Sequence, residues 1–410
     1  MGAGLGYLLR VTHEHEPAAK RAHRHLSRTP PIVPPIYQTT IFLLDDVSYD
    51  DIIETGGLNE DWYSRFHNPT VAATAEEVAR LEGAPAALMT SSGMAAISST
   101  LVTLCAAGDR IVAARELYGD TFDLLTRDLP RLGVEVEFVR GDSIAEWETA
   151  MARGRVTVAY AESLSNPQLR LLDVPAVAAV AHAHGARLVV DNTFASPHVL
   201  RPLEHGADLV VHSASKFLNG HSDVIAGCVA GDEETLREVQ RRVITFGGSL
   251  DPHAAFLVLR GLRTFDVRLQ RQQASAAQVA EFLAAQPEVL HVIHPSLPSY
   301  AYREVATRLL APGRGGAMVS FVVRGGDRSA GAVMRNFEVP IEATSLGGVE
   351  TLASTPHNSS HFSLTVQERE AAGISAGMIR LSVGLEAPDR ITADIRQALD
   401  RVYRTTAAKV

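Results

Sequence analysis

Residues 211–221 read Val211-His212-Ser213-Ala214-Ser215-Lys216-Phe217-Leu218-Asn219-Gly220-His221, and upstream an apolar run closes on Asp191-Asn192-Thr193. Leu209 to His212 and Arg187 to Asp191 are short, nearly continuous apolar runs, the pattern of strands buried on both faces. Small and polar residues follow each run, and in open α/β sheets ligands gather at the carboxyl ends of strands. A carboxylate therefore closes one strand, and a lysine among small hydroxyl residues follows the next.

Outward from this stretch, strand-like runs and amphipathic helices alternate from Ala84 to about Arg260. Strands are predicted at Ala86–Met89, Arg110–Ala114, Glu135–Val139 and Thr157–Glu162. Gly93 opens a helix, and Val174–His184 is helical with Pro175 in its first turn, where a missing N–H costs nothing. The pattern predicts an α/β fold with a mainly parallel sheet between helices. Ser92-Gly93, Glu162, Asp191 and Ser213 all fall at strand ends. Past Arg260 the composition changes: a long helix over Phe265–Ala284 precedes short strands around Val289–His294, Ala317–Val323 and Met378–Ser382, as in an appended α+β domain. At the other end, Pro30, Pro31, Pro34 and Pro35 exclude a helix and favour an extended arm; helical periodicity begins at Ala73 and runs to Leu81. The expected division is an arm over 1–62 that wraps a neighbouring subunit, a large domain over 63–262 and a C-terminal α+β domain over 263–410.

A chain of 410 residues with 46% apolar and 21% charged residues has the balance of an ordinary globular protein. Its formal charge of -9 opposes a nucleic-acid partner. No apolar run reaches membrane-spanning length, and Met1 to Arg10 lacks the basic start of a signal peptide. Cys105 and Cys228 make no disulfide or zinc framework. His13-Glu14-His15 and His182-Ala183-His184 lack the i, i+4 spacing of helical metal ligands, so no metal is expected. A reduced, cytoplasmic protein fits these features.

Asp191 and Lys216 together have the layout of a pyridoxal phosphate (PLP) site. The lysine amine can hold the cofactor aldehyde as a Schiff base, and the carboxylate can keep the pyridine nitrogen protonated, so the ring accepts electrons. In Ser91-Ser92-Gly93-Met94, a glycine at a strand-to-helix turn lets backbone amides approach a phosphate, which Ser213 and Ser215 could also reach. Tyr118, before Gly119, can stack on the ring and exchange protons. Tyr63-Ser64-Arg65 suits a phosphate dianion, at the end of the arm where it could serve a neighbour. Arg380, inside the apolar run Met378–Ser382, needs a carboxylate partner to be buried.

These motifs converge. The chain resembles the PLP enzymes of cysteine and methionine metabolism, which include methionine γ-lyase, cystathionine γ-lyase and cystathionine γ-synthase. The resemblance runs from about Pro35 to the C-terminus. It is carried by Pro35-Ile36-Tyr37-Gln38-Thr39-Thr40, Tyr63-Ser64-Arg65, Ser92-Gly93-Met94, Tyr118-Gly119, Asp191-Asn192-Thr193, Asn219-Gly220-His221-Ser222-Asp223, Ser345-Leu346-Gly347-Gly348 and Arg380-Leu381-Ser382-Val383-Gly384-Leu385-Glu386. It implies fold type I, a homotetramer of two tight dimers with shared sites, and PLP as cofactor. By position, Lys216 would carry the cofactor and shuttle protons, Asp191 pair with the ring nitrogen, and Tyr118 stack and assist the leaving sulfur. Ser92, Gly93, Met94, Ser213 and Ser215 would hold the phosphate, with Tyr63 and Arg65 from the partner chain and Thr193 nearby. Asn166 would reach the ring hydroxyl and the substrate; Arg380 and Ser345 would clamp the substrate carboxylate. Such enzymes either eliminate the γ-substituent, releasing ammonia and 2-oxobutanoate, or replace it with a thiol.

The chain also departs from its relatives' patterns. Asp120 stands two positions after Tyr118, where methionine γ-lyases carry cysteine, and Val243 aligns with a lysine of theirs. Thr344 precedes the Ser-Leu-Gly run, where cystathionine-specific members carry a glutamate for the distal amine; Glu342 lies two places earlier. Ser215 and Phe217 replace a usual threonine and tyrosine, whereas Asn219-Gly220-His221-Ser222 is closer to the cystathionine enzymes. Asp120 and Thr344 are thus candidate substrate contacts. The expected reaction is α,γ-elimination from a sulfur amino acid without a distal amine, methionine or homocysteine. Cystathionine γ-lyase, cystathionine γ-synthase or homoserine-ester γ-replacement activity is the alternative, and a noncatalytic PLP-binding scaffold is a third.

Overall fold

Short runs of β-branched and small apolar residues build the centre of the protein. In a computed structural model of the chain, residues 31–44, 49–356 and 373–407 are described, the last four by backbone alone. All elements below belong to the compact unit that begins at Ile36. Seven strands form the main sheet: β1 (Ala86–Thr90), β2 (Arg110–Ala114), β3 (Glu135–Val139), β4 (Val158–Glu162), β5 (Arg187–Asp191), β6 (Leu209–His212) and β7 (Gly227–Gly231). Their spatial order is β1-β7-β6-β5-β4-β2-β3. The strands β2, β4 and β6 are buried along their whole length, which is why their sequences are apolar except at one end, at Arg110, Glu162 and His212.

The sheet is mainly parallel, as expected, with one strand the sequence reading did not include. β7 runs antiparallel to both β1 and β6. Its sequence, Gly227-Cys228-Val229-Ala230-Gly231, is short and begins and ends in glycine, so it lacks a strand signature. Gly227 has a packing reason: a Cβ there would lie 2.1 Å from the Ser92 carbonyl oxygen. The strand exists because neighbouring backbone approaches it closely.

Local signals set the helix boundaries. Asn68 caps Pro69–Glu82, its side chain accepting from the Thr70 amide, so this helix starts before the apolar periodicity at Ala73. Asp173 caps Val174–Ala183, with Pro175 in the first turn. Asp232 and Gly247 bound Glu233–Phe246. In the expected arm, residues 31–44 contain no helix, but Tyr49–Thr55 is a helix with no buried residue. Asp50 and Asp51 in its first turn favour it through the helix dipole, a signal too short for periodicity to reveal. Pro30, the histidines of the start and the rest of 1–30 lie outside the described residues.

A second sheet of five strands follows: β8 (Val289–Ile293), β9 (Met318–Val323), β10 (Ile341–Glu342), β11 (Leu352–Ser354) and β12 (Met378–Ser382), in the order β10-β11-β12-β9-β8. Only β10 and β11 pair in parallel. Phe321, Ile379 and Leu381 from this sheet share a core with Val279 and Leu283 of helix Phe265–Ala284 and with Ile391, Ile395 and Leu399 of helix Pro388–Ala407.

Candidate active site

The carboxyl ends of β1, β2, β4, β5 and β6 surround a cavity of about 770 Å³. Ser92, Gly93, Met94, Tyr118, Asp120, Asn166, Asp191, Thr193, Ser213, Ser215, Lys216, Thr344, Ser345 and Arg380 all line it. Of the site residues read from the sequence, two lie elsewhere. Tyr63 and Arg65 border another cavity, with Gln38 and Asp251. The Arg65 guanidinium donates to the Ile244 carbonyl at 3.0 Å and rests over the Tyr63 and Phe66 rings.

The acid at the base of the cavity is Asp191, with 8% of its surface exposed. The Thr193 amide donates to it at 2.9 Å. Burial raises its pKa, which the bonds from Thr193 and the nearby His212 partly offset. A buried carboxyl with raised proton affinity fits a cationic partner. Across the cavity, Lys216 Nζ donates to Ser345 Oγ at 2.7 Å. Burial, then the charge of Arg380, lowers the lysine pKa and favours the neutral amine.

One end of the cavity is an anion seat. Ser92 caps helix Gly93–Leu104, its Oγ accepting from the Ala95 amide at 3.0 Å. The amides that open a helix have no partner inside it, and the dipole favours negative charge there. A Cβ on Gly93 would lie 2.8 Å from the Ser213 Cβ, so glycine lets the helix end reach the loop carrying Ser213. The Ser213 amide donates to Thr193 Oγ1 at 2.8 Å, linking the two loops. The Ser215 hydroxyl is engaged on both sides by Ala226, accepting from its amide at 2.9 Å and donating to its carbonyl at 3.2 Å. Ser215 thus also ties the lysine loop to the residue before β7.

At the other end lies a buried guanidinium. Arg380, 5% exposed, donates through Nη1 to Asn166 Oδ1 at 2.9 Å and through Nη2 to the Ser345 carbonyl at 2.8 Å. Its Nε has no partner among the described residues. A buried guanidinium with an unsatisfied donor calls for an anion. Burial lowers its pKa to about 10, still cationic at neutral pH.

Tyr118 precedes the short helix Gly119–Asp123 and is 42% exposed. Its hydroxyl donates to Asp120 Oδ2 at 2.7 Å, and burial, then this bond and the carboxylate charge, pushes its pKa up to about 12. The tyrosine proton is held in place by the carboxylate two positions further on. Beneath it lies Glu162, which also lines the cavity and was noted in the sequence only as the end of a strand.

This donor set fits PLP: an amine for the aldehyde, an acid for the ring nitrogen, a helix end for the phosphate, and an arginine for an amino-acid carboxylate. Residues 18–400 match the profile of the Cys/Met metabolism PLP-dependent enzymes. The chain belongs to this family. An L-methionine gamma-lyase of Porphyromonas gingivalis is 42% identical over 369 residues, which cover 89% of this chain and 92% of that protein. The cystathionine gamma synthase of Xanthomonas oryzae pv. oryzae, solved in complex with aminoacrylate and cysteine, aligns with a TM-score of 0.85 at 35% identity over 91% of this chain and 94% of its own. A putative O-acetylhomoserine (thiol)-lyase of Campylobacter jejuni, solved with pyridoxyl-lysine phosphate, aligns with a TM-score of 0.85 at 28% identity over 90% and 96%. This PLP-dependent enzyme therefore has the fold-type I architecture that its sequence motifs imply. No described helix is long and apolar enough to cross a membrane.

Proposed function

We propose that this chain is a carbon–sulfur lyase that carries out α,γ-elimination on methionine or homocysteine, consuming water and yielding 2-oxobutanoate, ammonia and a thiol from methionine or hydrogen sulfide from homocysteine. The observation that carries the reading is the shared cavity of Lys216, Tyr118 and Arg380, with the neutral Thr344 directly before Ser345 on its wall. The 42% identity to a methionine gamma-lyase supports it.

PLP, when bound, supplies the electron sink that makes the substrate Cα and Cβ protons acidic. The protein supplies placement and proton transfer. Arg380, already oriented by Asn166 and Ser345, takes the α-carboxylate on its unsatisfied edge. Lys216 would hold the cofactor aldehyde, and its amine of lowered pKa takes the Cα proton. Asp191 holds the ring nitrogen cationic, with Thr193 fixing the acid. Tyr118 stacks on the ring and gives its hydroxyl proton to the departing sulfur, with Asp120 aligning that hydroxyl. Ser92, Gly93, Met94, Ser213 and Ser215 hold the phosphate, completed by Tyr63 and Arg65 of a neighbouring subunit. The working assembly is a homotetramer in the cytoplasm, with the arm of residues 1–62 reaching across a subunit boundary from the large domain, 63–262, and the C-terminal domain, 263–410.

A second reading, γ-replacement on cystathionine-type or homoserine-ester substrates, draws on the likeness to cystathionine gamma synthase. Parallel assays of keto acid, ammonia and thiol from methionine, homocysteine, cystathionine and cysteine decide between them. Steady 2-oxobutanoate release from methionine or homocysteine without an added thiol supports elimination. Turnover confined to homoserine esters plus a thiol supports replacement.

A further inference from the structure

Glu162 ends β4, the strand between β5, which carries Asp191, and β2, which leads to Tyr118. Glu162 and Asp191 are direct neighbours in the parallel register. The Glu162 side chain is 9% exposed and lines the cavity. Its Oε1 accepts the Tyr118 backbone N–H at 2.5 Å, and its Oε2 accepts the Asn166 backbone N–H at 3.2 Å. Asn166 in turn holds Arg380 through its side-chain oxygen.

Burying a second carboxyl beside Asp191 is costly. Burial, then the charge of Asp191, raises the Glu162 pKa well above the usual range. A buried spacer needs no such group. The two backbone donors explain it: among side chains of this size, only a carboxyl accepts at both ends, whereas glutamine presents an NH₂ to one of the two N–H groups. Because both oxygens are engaged by backbone, the carboxyl acts on placement.

We propose that Glu162 is a positioning residue whose single carboxyl sets Tyr118 over the cofactor seat and Asn166 with Arg380 at the substrate clamp, so that the two halves of the site move as one. This rests on the roles given above for Tyr118 and Arg380.

The test compares Glu162→Gln with wild type as PLP-loaded protein, titrated with two amines that cannot eliminate. L-norleucine has an α-carboxylate and no sulfur; n-pentylamine has neither. Binding is followed in the visible absorption of the cofactor, and cofactor orientation by its visible circular dichroism. Loss of the bond that fixes Asn166 beside Arg380 raises the norleucine dissociation constant about tenfold, while that of pentylamine changes less than about twofold. The visible circular dichroism falls as Tyr118 loses its anchor. Unchanged norleucine binding and dichroism overturn the proposal, as does equal weakening of both amines or a loss of melting temperature alone. If Glu162→Gln does not fold, Glu162→Asp, which cannot span both amides, carries the same expectations. Norleucine reports on seat and clamp whether or not sulfur is ever released. A wild-type protein that titrates normally but releases no thiol therefore counts against the lyase reading, not against Glu162.

Discussion

Ser345 links Lys216 to Arg380. Its hydroxyl accepts from the lysine amine at 2.7 Å, and its carbonyl accepts from the guanidinium at 2.8 Å. Ser345 has a φ of 86°, a left-handed conformation that costs a non-glycine residue free energy and persists where surrounding contacts over-determine it. Donors from Lys216 and Arg380 converge on this one residue and hold it there. They also join the lysine loop of the large sheet to β12 of the small one.

If Lys216 carries the cofactor and takes the Cα proton, Lys216→Ala removes both the covalent attachment point and the base. The purified variant is expected to lose the visible absorption of the bound cofactor and to lose turnover by about a thousandfold or more. Absorption spectra and borohydride reduction followed by peptide mapping check this. A reducible cofactor link to protein in the variant would place the attachment elsewhere.

Asp120→Asn removes the charge that holds the Tyr118 proton. The carboxylate contributes to raising that pKa to about 12, so the variant is expected to lower it, although burial still acts. If Tyr118 works as the acid, the alkaline limb of the pH–rate profile shifts to lower pH. A limb that stays in place separates Tyr118 from that step.

Gly93→Ala puts a methyl group 2.8 Å from the Ser213 Cβ and 2.9 Å from its Cα. Overpacking of this kind costs about 1–3 kcal/mol, which predicts PLP binding weaker by about tenfold to a hundredfold. Titration of cofactor-free protein with PLP measures it. Because the strain falls on the anion seat, the melting temperature of the cofactor-free form should fall less than the affinity suggests.

The raised pKa of Asp191 makes a pH-dependent prediction for cofactor-free protein. An acid whose folded pKa is raised stabilises the fold below its unfolded pKa, about 3.9 for Asp, and that contribution disappears as the pH climbs through the folded value. Asp191→Asn mimics the protonated acid and does not titrate. The stability of wild type relative to Asp191→Asn should therefore decline as the pH rises above about 4, measured by denaturant unfolding of the two apo proteins. A difference that is flat with pH contradicts the raised value.

Arg65 borders a separate cavity in its own chain. If it serves a neighbour's phosphate, mixed assemblies of Arg65→Ala and Lys216→Ala subunits contain sites with both residues intact. Recovered activity in such hybrids, up to a fraction of wild type, is the expected result. Verified hybrids with no activity argue against a shared site.

Much of this protein is legible locally. Arg110–Ala114, Glu135–Val139, Arg187–Asp191, Leu209–His212 and Met378–Ser382 are strands whose apolar runs announce them without their partners. Asp191, Lys216 and Arg380 are legible for a related reason: a charged group at the end of, or inside, an apolar strand has a cost that only chemistry or pairing offsets. β7 is not, because glycine carries no strand signal, and its fitness lies in the approach of Ser92 from another loop. Glu162 stands in plain view at a strand end, yet its two bonds go to the amides of Tyr118 and Asn166, whose positions follow only from strand order and loop path.

Residue types and their spacing alone therefore pointed to the layered α/β scaffold and to the pair Asp191 and Lys216, since these follow from periodicity and from the cost of burying charge, whereas Asn166, Thr193, Thr344 and Ser345 entered through the resemblance to a family of PLP enzymes. Folding in three dimensions decided which groups touch: the Tyr118 hydroxyl on Asp120, Lys216 on Ser345, Arg380 between Asn166 and Ser345, and Tyr63 with Arg65 away from their own chain's cavity. Hydrogen bonds form within about 3 Å and depend on direction, and distances of that order between remote segments are set by how the strands are ordered in the sheets, which no local stretch of chain encodes.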